Sequence, residues 1–431
     1  MANSRKHLQS PEPAKRIAIA LSGGLDSAVL LHTICKNPKF SSAAEIWVFH
    51  IHHGLQKSAD QWLEFCLTLA KKYRVPFDFR LLYLDPSLGN VESRARTARY
   101  EALAELCEEH HIQDLLLAHH QNDQAETVLL QLLRGAGVAG LSAMPAQRPL
   151  KSNQYQVNVL RPLLDQSRSE LEAYAKKHRL RWIEDSSNRD VRYRRNALRK
   201  KVIPQLMQIQ PEALSNIARS ANLMAEAQTL LDRLAQQDGK SIFEKGVLKL
   251  KPLLLLRKLD VASANNLIRY WLKMHQLAMP SQERLESWWQ DLLKVSHDAQ
   301  LEWIHNESHI CLWRGLLQII GSQAGEWVFK AVPQSSKKLG LPADWLARLK
   351  EQGQITQRER AGSEKIQIAA KSPRKSLKNL YQECAVPPWQ RQLPLLYVGD
   401  DLLAVAHVGV SYPHLVSTGK RWIPVWQAEN T

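Results

Sequence analysis

Six consecutive residues constrain this chain more than any other feature. Ser22-Gly23-Gly24-Leu25-Asp26-Ser27 follow a short apolar run (17–21) and open an apolar helical one, Ala28-Val29-Leu30-Leu31-His32-Thr33-Ile34. Adjacent glycines let the backbone turn sharply and approach a ligand with no side chain in the way. A helix start presents unpaired N–H groups and the positive end of its dipole, which together make an anion site. Ser22 and Ser27 add hydroxyl donors, and Asp26 can hold a divalent cation beside phosphates. No G-x-x-x-x-G-K-[ST] pattern is present, so a lysine working on terminal phosphates is missing. A bare S-G-G would fit an ordinary strand–helix turn; all six residues in this setting point to a phosphate cradle.

The surrounding pattern sets the fold. Apolar runs at 17–21, 45–51, 77–84, 114–119 and 181–184 read as strands, separated by stretches with apolar residues at helical spacing. Such alternation predicts an α/β fold, a Rossmann-like parallel sheet with helices on both faces and its ligands at the carboxyl ends of the strands. This first domain is expected over residues 1–210. Long Leu/Ala/Trp-rich segments predict a helical domain over 211–325, with Trp271, Trp288, Trp289 and Trp303 in its core. A Pro/Ser/Lys/Gly stretch at 332–342 reads as a linker. Strand-like runs at 393–398 and 402–410 predict a small α/β domain over 345–431.

Bulk numbers remove several function classes. With 44% hydrophobic and 23% charged residues the chain can bury ordinary cores. Its longest leucine run, residues 253–256, is far short of the roughly 20 apolar residues that span a bilayer, and no signal peptide is expected. Five scattered cysteines without a C-x-x-C pair suit free thiols in a reducing, cytoplasmic setting. The net charge is +16, and the segments 168–201 and 329–378 hold +15 of it. Two basic patches on otherwise neutral domains predict contact with phosphodiester backbone, with Arg194, Lys371, Arg374, Lys375 and Lys378 as candidate contacts; a solvated basic face is the alternative.

Ser22–Ser27 after a first strand resembles the signature of the N-type ATP pyrophosphatases, the PP-loop enzymes. That resemblance implies ATP binding by Ser22, Gly23, Gly24, Leu25, Asp26 and Ser27, and cleavage between the α- and β-phosphates. Further motifs narrow it. These are 50-HIHHGL-55, Asn90-Val91-Glu92 with Ala95-Arg96 and Arg99-Tyr100, 118-AHHQNDQAET-127, Arg161-Pro162-Leu163-Leu164, 184-EDSSN-188 with Asp190, and Tyr193-Arg194-Arg195-Asn196. At the other end stand 377-LKNLYQE-383, Pro387-Pro388-Trp389 and 393-LPLLY-397. Together they resemble the tRNA(Ile)-lysidine synthetase family. The resemblance implies adenylylation of carbon 2 of a wobble cytidine in a CAU-anticodon isoleucine tRNA with ATP and Mg²⁺. Displacement of AMP by the ε-amine of free lysine would follow. Two departures stand out: Gln56 replaces the usual arginine, and Asn122-Asp123 replaces an Asp-Asp pair.

That chemistry makes its own demands. Asp26 and Asp123, at the ends of neighbouring strands, are expected to share Mg²⁺. Arg195 would neutralise charge as the anhydride opens. Glu126, three residues after Asp123, faces the same way and would help Asp123 receive the lysine substrate; surface ion pairing is the alternative for Glu126 and Arg195. His50, His52, His53, His119 and His120 fit pocket lining or loop hydrogen bonds better than a zinc site. The rivals are a thiolase needing a reactive cysteine, a glutamine-dependent synthetase, and a non-catalytic RNA-binding protein on a degenerate scaffold. The oligomeric state is left open, a homodimer included.

Overall fold

The computed structural model describes residues 15–38, 44–52, 59–82, 91–152, 155–184, 190–295, 301–306, 308–321 and 324–428. They divide into two compact units, up to Arg233 and from Leu234 onward.

The first unit alternates strand and helix: β1 Lys15–Ala20, α1 Leu25–Lys36, β2 Ala44–His52, α2 Ala59–Tyr73, β3 Phe77–Leu81, α3 Val91–Glu109, β4 Asp114–Leu116 and α4 Gln121–Leu132. A hairpin follows, β5 Gln147–Ser152 and β6 Tyr155–Leu160, then α5 Arg168–Lys177. The sheet order is β3-β2-β1-β4-β6-β5, all parallel except the β5–β6 pair. Alternate residues of β1 serve different faces. Ile17 and Ile19 pack with Val29, Leu30, Leu171 and Ala175 of α1 and α5, while Ala18 packs with Leu103 and Leu106 of α3. Helices therefore cover both faces of a mostly parallel sheet, as expected.

One predicted strand is absent. Residues 181–184 run without strand pairing, and the Ile183 N–H donates to the Gly23 carbonyl at 2.9 Å. The fifth and sixth places in the sheet go instead to the β5–β6 hairpin, whose polar residues hid its alternation. Beyond residue 190, a helical run over 194–209 contains a π-helical turn at Leu198–Val202 and leads to α6 Ala213–Asp238.

The second unit contains helices α7 Leu250–Leu259, α8 Val261–Met274 and α9 Gln282–Lys294. Asp260 caps α8 through the Ala262 and Ser263 amides, and Ser281 caps α9 through Arg284. These helices bury Trp271, Trp288, Trp289 and Trp303 as expected. They do so partly against an antiparallel sheet: β7 Phe243–Glu244, β8 Val247–Lys249, β9 Leu301–His305, β10 Ser308–Trp313 and β11 Leu316–Ile320, in the order β7-β8-β11-β10-β9. The sequence reading did not anticipate that sheet, because its strands are short and packed on both sides of tight turns.

The C-terminal part is mixed α/β. β12 Gly325–Val332 pairs along its whole length with the last strand, Arg421–Ala428. Strands at Ile355–Arg358, Leu395–Val398, Asp401–Val405 and Gly409–Val410 form a second sheet, over a core containing Leu380, Tyr381, Leu395 and Val405.

Candidate active site

In this strand order the chain leaves β1 toward β2 on one side and later returns to β4 on the other. The carboxyl ends of β1 and β4 thus flank a topological switch point, where open α/β sheets bind ligands. The loop after β1 is Ser22 to Gly24. Gly23 has φ +86°, and a Cβ there would stand 3.3 Å from Cys66 Sγ, so only glycine suits the position. Ser27 Oγ donates to the Gly24 carbonyl at 3.0 Å and accepts from the Ser22 amide at 3.2 Å. Leu25 is buried, so its backbone rather than its side chain is left for a ligand.

The loop after β4, residues 117–120, ends in His119 and His120 and leads into α4. Asp123 closes that helix start by accepting from the His120 amide at 3.1 Å. His120 Nε2 lies 3.7 Å from Asp26 Oδ2 and 3.6 Å from Asp123 Oδ2, so two carboxylates from separate loops converge on one imidazole. Burial pushes the Asp26 carboxyl above its usual value, opposed by His120 and Arg168. Burial also acts on Asp123, yet His120, Arg195 and His119 outweigh it and hold Asp123 below the ordinary range. His119 itself is pushed down to about 3, mainly by burial and by the neighbouring Arg161, Arg99 and Arg195.

Glu126 is 1% exposed. Arg195 Nε donates to one of its oxygens at 2.8 Å, and Arg199 donates to both at 2.7 and 3.0 Å. Arg195 also reaches Asp123 Oδ1 at 3.4 Å. Asp26, Asp123, Glu126 and Arg195 therefore form one centre. Two neighbours escaped sequence reasoning: Arg168 Nη1 grips both Asp26 oxygens at 2.7 and 2.8 Å from 142 residues away, and Arg199 shares Glu126. His120, expected to line the pocket or bond the loops, stands between the two acids. Only the density of basic residues over 168–201 hinted at the arginines.

The departure at Asn122 has a structural account. Its Oδ1 accepts from the Arg168 backbone N–H at 3.0 Å, a task for which an amide oxygen serves as well as a carboxylate. Gln56 and residues 185–189 of the 184–196 block lie outside the described residues, as does His53. Of the other histidines, His50 Nδ1 bonds the Leu21 carbonyl at 2.8 Å, and His52 Nε2 meets Asp60 at 3.1 Å. Both support loops. Among the described residues one group of three side chains has metal-ligand spacing, Asp78, Glu109 and His110, and Arg80 already pairs with its acids.

Cys35, Cys66 and Cys107 sit in helices, and burial pushes them up to about 11, 12 and 12. Such thiols stay protonated and are poor nucleophiles. In the second unit Lys371, Arg374 and Lys378 are exposed, while Lys375 Nζ bonds both Glu383 oxygens at 2.8 Å. Arg194 is exposed in the first unit.

Asp26 and Asp123 bring carboxylate oxygens, the donor type that hard divalent cations take, within 3.7 Å of His120 Nε2, and they pair with Arg168 and Arg195 respectively.

Comparison with known proteins gives three matched stretches. A PP-loop domain model matches residues 1–206, a TilS substrate binding domain model residues 252–318, and a TilS substrate C-terminal domain model residues 355–425. A tRNA(Ile)-lysidine synthase of Coxiella burnetii is 38% identical over 90% of this chain and 87% of its own length. Namesakes from Nitrosomonas europaea and Pseudomonas fluorescens are 35% and 39% identical, covering 96% and 90% of this chain and 92% and 88% of theirs.

Proposed function

Because the chain belongs to the tRNA(Ile)-lysidine synthase family, we propose that it joins free lysine to carbon 2 of the wobble cytidine in CAU-anticodon isoleucine tRNA. ATP is cleaved to AMP and pyrophosphate, an adenylylated nucleotide is the intermediate, and decoding changes from AUG to AUA. The observation that carries this reading is the convergence of Asp26, Asp123, Glu126 and Arg195 at the switch point beside the Ser22–Ser27 loop.

Each residue has a role that its surroundings support. The loop amides and the Ser22 and Ser27 hydroxyls bind the nucleotide phosphates. Asp26 and Asp123 would hold Mg²⁺, which supplies charge neutralisation on the phosphates when bound. Arg195, hydrogen-bonded to Glu126, is placed to stabilise charge developing on the departing phosphate. Glu126 and Asp123 receive the substrate ammonium, taking it in exchange for the arginines they now hold. The inert helix thiols favour this reading over sulfur transfer.

Residues 1–210 act as the catalytic domain in this reading, with 211–325 and 345–431 as tRNA-binding domains. Arg194, Lys371, Arg374, Lys375 and Lys378 are proposed backbone contacts. No described helix is long and apolar enough to cross a membrane, and the proposed setting is the cytoplasm.

Radiolabelled lysine should enter CAU-anticodon isoleucine tRNA only with ATP and Mg²⁺ present, with one pyrophosphate released per lysine joined. Pyrophosphate release independent of tRNA, or sulfur incorporation from cysteine, would overturn the reading.

A further inference from the structure

Beside the centre just described lies a concentration of positive charge that the proposed chemistry does not use. Tyr100, on α3, is 6% exposed and packs in the core layer on the face of the sheet away from α1. The guanidiniums of Arg96, Arg99 and Arg148 stand 5.8, 5.8 and 4.5 Å from its ring centre. Arg161, 4% exposed, completes the group; its Nε meets His119 Nδ1 at 3.3 Å and its Nη1 the Pro145 carbonyl at 2.6 Å. Arg99 and Arg148 come from α3 and β5, Arg161 from the end of β6, so three elements assemble the cluster.

Several observations show that the cluster carries donors and charge that the described residues do not match. Among the described residues no carboxylate pairs with any of the four arginines. The Tyr100 hydroxyl, Arg99 Nε and Arg148 Nε are buried with no hydrogen bond of good geometry; Arg99 and Arg161 reach toward the hydroxyl without lining up. Buried donors without partners are rare in native proteins and cost free energy. Burial and the crowding of like charge push Arg99 and Arg161 below their usual values. Burial would raise Tyr100, yet the four arginines together pull it down. A multiply hydrogen-bonding anion would satisfy the orphan donors and the excess charge at once.

We propose that Arg96, Arg99, Arg148, Arg161 and Tyr100 form a phosphodiester pocket that holds a backbone phosphate of the polynucleotide substrate next to its reacting nucleotide. This rests on the reading that the substrate is RNA. Guanidinium forks match phosphate oxygens in pairs, and a phenol adds one further donor. The position separates this pocket from the nucleotide cradle. Ser22–Ser27 join β1 to α1, whereas the arginines come from α3, β5 and the end of β6 and reach the centre through His119. Gripping one phosphate there would hold the reacting base against Asp123 while contributing nothing to the ATP site.

The test is tRNA binding across a salt series from about 50 to 200 mM, for wild type and Arg96→Gln/Arg148→Gln, with ATP affinity measured in parallel. Loss of charge-assisted bonds to one phosphate should weaken tRNA binding about tenfold or more. The log–log salt slope should flatten by about 0.7 for each phosphate released, the value for single-stranded RNA. ATP affinity should stay within about twofold, since the charges removed lie outside its cradle. Arg148→Lys should restore the slope, and Tyr100→Phe should weaken binding without changing it, because no charge is lost. If the double variant fails to fold, Arg148→Gln alone carries the test. Unchanged tRNA affinity and slope would overturn the proposal. So would lost ATP affinity with intact tRNA binding, which would assign the pocket to the nucleotide. A wild type that binds tRNA but joins no lysine would sink the proposed reaction and leave this test valid.

Discussion

Replacing Glu126 with Gln probes the centre of the site directly. The side chain is 1% exposed and receives three hydrogen bonds of 2.7 to 3.0 Å from two guanidiniums. Gln keeps the shape but removes the charge, and its amide turns N–H donors toward Arg195 and Arg199. Breaking one partner of a fully buried ion pair costs about 3–5 kcal/mol. Here the arginine side chains are 26% and 42% exposed and can turn partly to water, so about 2–3 kcal/mol is expected. For a unit of this size that lowers Tm by about 5–10 °C. Differential scanning calorimetry at neutral pH and low salt reads the shift. The double variant Glu126→Gln/Arg199→Gln should lose less than the sum of the single losses, because the second change removes a charge already stranded. A Tm within about 2 °C of wild type, or strict additivity, would mean that the arginines are solvated and do not hold this helix pair together.

Asp123 titrates below its unfolded value, so its contribution to stability is complete above about pH 4 and is lost as pH falls through the folded value. Asp123→Asn should therefore flatten the acid limb of a plot of Tm against pH while leaving its shape above about pH 5 unchanged; an unaltered acid limb would refute this. Of the five cysteines only Cys384 is exposed, and burial holds Cys35, Cys66, Cys107 and Cys311 up at about 11 to 12. Native protein at pH 7.5 should take up one iodoacetamide per chain by mass spectrometry, and two or more would show that a helix thiol is accessible. Neutralising Lys371, Arg374, Lys375 and Lys378 together should flatten the salt slope of tRNA binding by about 2 units, since Lys375 is already paired with Glu383. An unchanged slope would remove this segment from the RNA-binding surface.

What could be read from the sequence was local. Ser22–Ser27 declares a tight turn after a strand because the glycines and the flanking periodicity are adjacent in the chain, and Gly23 does adopt a positive φ. The same holds for α1 and the buried tryptophans, whose apolar residues mark what meets a core. Reading failed where the signal was not periodic. Residues 181–184 have strand-like composition, but Ile183 bonds the Gly23 carbonyl and braces the loop. In the β5–β6 hairpin only residues 155–160 alternate, with Val157 and Val159 buried; β5, with Arg, Pro and Lys along it, does not.

The tertiary structure alone decided which charges meet. Arg168 reaches Asp26 across 142 residues, Arg195 and Arg199 reach Glu126 across 69 and 73, and Arg148 lies over Tyr100 from another element. None of these pairings has a spacing to detect, because each follows from the order β3-β2-β1-β4-β6-β5, which sets the ends of β1 and β4 side by side. Local sequence dictates turns and faces through sterics and burial that act within a few residues. Partners far apart in the chain are chosen by strand order, and that order is a property of the packed sheet as a whole.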